Sequence, residues 1–180
     1  MALIRVNLVQ MITGYNPQTL REIVDERAVQ ARLVKLGESR STAALGEKAE
    51  LLRMLGRLDE SLAMAEQAFR LSYFGGDRED LTRARLRRAQ VFQHKGQLQH
   101  ALTEMVASRA TSAVEGWESI EALAAHFAGT VLFELGRFDE AKDAFADALT
   151  IRVRIDAPAS EVESSRFALG VTERAVAADG

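Results

Sequence analysis

The densest cluster of one chemistry in the sequence is basic: Arg83, Arg85, Arg87 and Arg88. At helical spacing Arg83 and Arg87 share a face, while Arg85 and Arg88 turn away from it. Two guanidinium forks placed this way can grip the carboxylates of an acidic partner segment. The same side chains can equally lie on a solvated face or pair with Glu47 and Glu50, since exposed ion pairs are common and worth only ~0–1 kcal/mol each. Nucleic acid is a poor fit: no basic stripe runs on through the chain, and the net charge is −3. His94, His100 and His126 are the only histidines. A metal site needs three or four converging ligands, often spaced as His-Glu-x-x-His, and no such spacing occurs. The absence of cysteine excludes disulfides, thiol catalysis and thiolate metal sites. No nucleophile elbow, phosphate loop, dinucleotide fingerprint or carboxylate pair stands in a usable context, and Gly75-Gly76 reads as a loop between helices. The expectation is a protein with no catalytic residue, no cofactor and no metal.

The elements that must position these residues follow from an internal repeat. Leu55-Gly56-Arg57-Leu58-Asp59-Glu60 returns as Leu135-Gly136-Arg137-Phe138-Asp139-Glu140, with Lys95-Gly96-Gln97-Leu98-Gln99-His100 midway. The glycines at 56, 96 and 136 are 40 residues apart. Ala49, Ala89 and Gly129 keep step before them, as do Leu52, Phe92 and Leu132. After them come Ser61, Ala101 and Ala141, then Ala68, Ser108 and Ala148. Small residues recur where backbones must approach, and large apolar ones where space must be filled. A fixed period in this range marks a stacked-repeat architecture.

Within each unit the apolar spacing is helical. Helices are predicted over 42–55 and 59–72, 79–95 and 98–113, and 117–135 and 138–154. Each pair turns at a glycine in a left-handed cap, and Asp59 is the expected cap of its helix. Asn16-Pro17 reads as the start of a helix to about Leu36. Residues 1–13 are then either the first helix of a worn repeat or a strand, since Ile4, Val6 and Val9 suit both. A last helix over 159–177, with Phe167, Ala168 and Val171 on one face, covers the open end of the stack. The expected division of a single 1–180 domain is a degenerate repeat at 1–40, repeats at 41–76, 77–116 and 117–156, and a capping helix with tail at 157–180. Apolar residues at 47% and charged residues at 27% suit a folded chain with a core. No apolar run reaches the ~20 residues of a membrane span. Met1–Ile12 lacks the features of a signal peptide, so a cytoplasmic protein with no membrane partner is expected. The alanine and arginine content hints at a bacterial source.

These residues resemble the tetratricopeptide repeat family, whose pattern sets a small residue at the eighth position, a large apolar one at the eleventh, and Gly at the fifteenth. Small residues follow at the twentieth and twenty-seventh. Ala49, Leu52, Gly56, Ser61 and Ala68 fit that pattern, and so do Gly129, Leu132, Gly136, Ala141 and Ala148. The 40-residue period exceeds the family's ~34. Lengthened repeats of this kind resemble those of kinesin light chains and bacterial peptide-sensing regulators. The resemblance implies an all-α fold, a right-handed α-α superhelix of helix-turn-helix repeats with a C-terminal capping helix. Its first helices would line a concave groove that holds a peptide or helix of a partner protein.

By the family register Glu47, Glu50, Arg83, Arg87, Gln90, His94, Phe127, Thr130 and Phe133 are groove residues, in company with Arg53 and His126. Phe127 and Phe133 either anchor a guest or belong to the core. The asparagines of a clamp for C-terminal carboxylates are missing, since only Asn7 and Asn16 occur. With His94 and His126 in the groove, binding is expected to respond to pH near 6–7. The expected function is a non-catalytic protein-interaction scaffold. Two alternatives are a peptide-sensing regulatory domain that acts through another protein, and a homo-oligomerisation module joined through residues 1–13 or the last helix.

Overall fold

A computed structural model describes Leu8 and residues 10–179. Two short strands, β1 (Ile12–Tyr15) and β2 (Glu22–Val24), pair antiparallel as a hairpin. They are followed by α1 (Glu26–Leu36), α2 (Thr42–Met54), α3 (Leu58–Gly75), α4 (Arg78–His94), α5 (Leu98–Glu115), α6 (Glu118–Glu134), α7 (Phe138–Arg154) and α8 (Ala159–Asp179). The six repeat helices stand where the periodicity puts them. The chain divides into two compact units: the first runs to Gly96, the second from Gln97, with Pro17–Leu20 grouped with the second.

In the first unit α2, α3 and α4 pack on one another, and α1 lies on α2. Ala49, Ala65 and Val91 are almost fully buried at the α2–α3–α4 contact. Ser61 donates its hydroxyl to the Ala49 carbonyl at 2.7 Å, so the small residue of the repeat also satisfies a buried polar group. A second cluster joins Leu8, Met11 and Val29 to Leu51 of α2, with Val24 against it. In the second unit α5, α6, α7 and α8 pack in series. There Gly129 lets α6 approach Phe145 of α7 so closely that an added Cβ would lie 2.8 Å from its ring.

The turn glycines have the predicted left-handed backbone, with φ of +71° at Gly56 and +72° at Gly136. At the first turn Gly56 N–H donates to the Arg53 carbonyl and Arg57 N–H to that of Leu52. That double bond satisfies carbonyls the helix end would leave open.

Three local expectations are corrected. The helix expected over 17–36 is shorter, because Asp25 caps it by accepting from the N–H groups of Arg27 and Ala28 at 3.0 and 3.1 Å. Ile23 and Val24, β-branched residues, go to the strand instead. Residues 1–7 and Val9 lie outside the described residues, so the worn-repeat reading of 1–13 is untouched there, while Ile12 and Thr13 are in β1. Asp59 does not cap α3 but sits in its first turn, with Arg57 before the helix bonding Glu60 at 2.7 and 2.6 Å. In α8 the buried face is Ser164, Ser165, Ala168, Val171 and Thr172, and Phe167 is exposed.

Candidate binding faces

In the first unit the groove-register residues of α2 and α4 come together as a charged face. Arg87 of α4 reaches over α2 and donates Nε to Glu50 at 2.5 Å. Gly46 makes room for it, since a Cβ there would meet the Arg87 guanidinium at 3.1 Å. The pairing alternative for Arg87 therefore holds. Arg83 instead pairs within its own helix, with Glu79 at 2.7 Å. Arg87 and Glu50 stay partly exposed, which keeps both in reach of solvent. Glu47 is buried, gripped at both oxygens by Arg32 of α1 at 2.5 and 3.0 Å. Gln90 is buried in α4.

Further along the same face the groove-register residues Arg53 and His94 meet, joined by Glu22 from outside the repeats. Arg53 of α2 is buried, donates Nη2 to Glu22 of β2 at 2.8 Å, and meets His94 Nε2 with Nη1 at 3.2 Å. His94 Nδ1 lies 3.0 Å from the Gln90 carbonyl and donates to it, which leaves Nε2 as the acceptor. Burial pushes the His94 imidazole down to about 3, and the positive charges of Arg53 and Arg21 act in the same direction. The expected response to pH near 6–7 is thereby overturned for His94: its ring is neutral throughout that range.

In the second unit the corresponding register positions do something else. His126 of α6 is enclosed by Ser165 Oγ at 3.2 Å and Ser164 Oγ at 3.3 Å, both from α8. Its ring meets Phe145 edge-on at 5.3 Å. Arg152 of α7, buried, donates Nη1 to Ser165 Oγ at 2.6 Å and to the Glu161 carbonyl at 2.7 Å. Burial first, then the positive charge of Arg152, hold the His126 imidazole well below the ordinary histidine range. A serine near a histidine suggests a nucleophile and base, but the third group here is a guanidinium that would oppose the imidazolium a base must become. Phe127 is half-buried, Thr130 is buried with its hydroxyl on the His126 carbonyl, and Phe133 packs on Phe138 at 5.2 Å.

Among the described residues no group of three metal-ligating side chains comes together, and no helix is long and apolar enough to cross a membrane.

Hairpins of helices repeated at a fixed period, stacked through small residues and closed by glycine turns, define a helical-repeat interaction protein. The chain belongs to the tetratricopeptide repeat family: two models of that repeat match residues 40–105 and 122–155, together more than half of the sequence. No curated protein matches it. Several solved structures share its fold. A Rap protein in complex with Competence and Sporulation Factor aligns with a TM-score of 0.69 at 18% identity, over 85% of this chain and 45% of its own. BtubC (BKLC) from P. vanneervenii aligns at 0.62 and 18%, over 84% and 65%. A Podosopora anserina protein described as a kinesin light chain with nearly identical TPR-like repeats aligns at 0.59 and 16%, over 85% and 77%. The chain thus spans about half the length of the Rap protein and about two thirds of BtubC.

Proposed function

We propose that this protein is a non-catalytic scaffold that holds a peptide or helical segment of a partner protein on the face formed by its first helices. The observation that carries the reading is the charged face of α2 and α4, where Arg83, Arg87 and Glu50 stand side by side on one surface and stay partly exposed. Family membership supports a protein partner, because stacked helix pairs build extended binding surfaces rather than reactive pockets. The Rap protein was solved in complex with Competence and Sporulation Factor, which accords with a bound partner on this fold. Mixed charge on the α2–α4 face favours a partner segment carrying both signs, and it speeds encounter more than it deepens affinity.

The test is affinity capture with the native chain beside a variant carrying Arg83→Glu and Arg87→Glu, after both show the same helical spectrum and melting. Partners recovered by the native chain and lost from the variant are clients of this face. Recovery of the same set by both would refute the assignment.

A further inference from the structure

Helix α3 turns Ser61, Ala65, Ala68 and Ser72 inward, and it packs on α2 and α4. At about 100° per residue its opposite side carries Ala63, Glu66, Arg70, Tyr73 and Phe74. All five are exposed. Phe74 is 82% open to solvent and Tyr73 62%, and their rings meet edge-on at 5.5 Å. Aromatic side chains held out to water in this way are the commonest anchors of protein interfaces. Glu66 and Arg70 share the face, and neither makes a hydrogen bond or ion pair among the described residues. Glu79 and Arg83 of α4 stand at the same spacing and in the same order, and they do pair, at 2.7 Å. The charges on α3 are thus left open to an outside partner. In α5 and α7 the register of 66, 70, 73 and 74 holds Val106, Ala110, Ala113 and Val114, then Ala146, Thr150, Val153 and Arg154. Of these three helices, only α3 combines aromatic rings with opposite charges on this side.

The face is complementary to itself. Lay two copies of α3 antiparallel about a two-fold axis level with Ala68. Each Glu66 then stands across from Arg70 of the other copy, and each Tyr73 across from the small Ala63, with Phe74 beside it. A parallel arrangement would instead set Glu66 on Glu66 and Arg70 on Arg70. The net charge of −3 is small enough for two copies to approach without strong repulsion. We propose that the outer face of α3 joins two copies of this chain in a two-fold, antiparallel dimer. Tyr73 and Phe74 are its apolar anchors, and the reciprocal Glu66–Arg70 pairs set its register. An interface of one helix face is at the small end of the known range, so the dimer is reversible. The proposal does not use the face of α2 and α4, and either can fail without the other.

The test is sedimentation equilibrium of the full chain between about 1 and 300 µM, the range in which a weak dimer forms. The average mass should climb from 19.8 kDa toward twice that value. Phe74→Ser should weaken the dimer about thirtyfold, as loss of an anchor does. Glu66→Arg alone, or Arg70→Glu alone, sets like charges face to face and should weaken it about tenfold. The two changes together rebuild both pairs in reverse and should restore the dimer to within about threefold of the native one. That rescue also separates a lost pair from a damaged fold. A monomer at every concentration would overturn the proposal. So would a dimer indifferent to Phe74→Ser, which would mean another face joins the copies, or a double variant no better than the single ones.

Discussion

The two units meet the same register positions with opposite chemistry. Gly46, Leu86 and His126 are one position of the repeat, and Glu47, Arg87 and Phe127 are the next. In the first unit the glycine lets an arginine cross from α4 to α2, and the face is bridged by ion pairs that stay partly open to water. In the second, a part-buried histidine meets two serines of α8 beside a buried arginine of α7. An open ion pair can be exchanged for a partner's charge at modest cost, whereas a sealed polar network resists exchange, because each buried group left unmet carries its full desolvation penalty. The repeat fixes where the faces are, and the residue at each beat decides whether a face stays partly open to water or is bridged shut.

The sharpest way to break this comparison is to open the sealed network. Arg152→Ala should destabilise the protein by about 3 kcal/mol, read from urea unfolding, because Ser165 and the Glu161 carbonyl lose their buried donor. A loss below about 1 kcal/mol would show that the network is solvated after all. Next in size is Gly129→Ala. The new methyl would lie 2.8 Å from the buried Phe145 ring, and overpacking should cost about 2 kcal/mol even though alanine is the better helix former. The parallel change in the first unit, Gly46→Ala, meets only the flexible Arg87 guanidinium at 3.1 Å. It should cost little stability and displace Arg87 from Glu50, which a shift of the Arg87 Nε–H resonance would register.

Acid should then weaken both units for one reason. His94 and His126 bind their protons far more weakly folded than unfolded, where the value is near 6.5. The unfolded state therefore takes up more protons below that pH, and stability falls as pH drops from about 6.5, by up to ~1.4 kcal/mol per pH unit for each histidine. For His94 the loss runs on toward pH 3. Melting curves between pH 6.5 and 5 should show this decline, flattened in His94→Gln and again in His126→Gln. A flat native curve would contradict the burial of the two rings. The smallest effect belongs to Glu60→Gln. Its bidentate pair with Arg57 is exposed and recurs as Arg137–Glu140, and its loss should leave the melting temperature within error.

The repeat helices were legible because glycine, alanine and large apolar residues fall at one period, and only stacked hairpins reward that pattern. The small residue Ser61 was legible as a place of close approach, and it does close on the Ala49 carbonyl. Less visible was Arg152, although the beat marks it: Ser72 and Ser112 hold that position earlier, both buried, so an arginine there had to be buried as well. Ser164 and Ser165, standing where Ala124 and Ala125 stand one period before, carried the same signal. Glu22 and Arg32 were not legible. They belong to the segment before the repeats, where no period fixes which helix a side chain will meet. The histidines were misjudged for titration because their spacing says where they lie but not how completely neighbours cover them.

The most direct test of the central claim is differential amide exchange of the full chain with and without a captured partner. The account predicts protection on binding in α2 and α4, around Glu50, Arg83 and Arg87. Protection confined to the second helices, α3 and α5, with α2 and α4 unchanged, would contradict it.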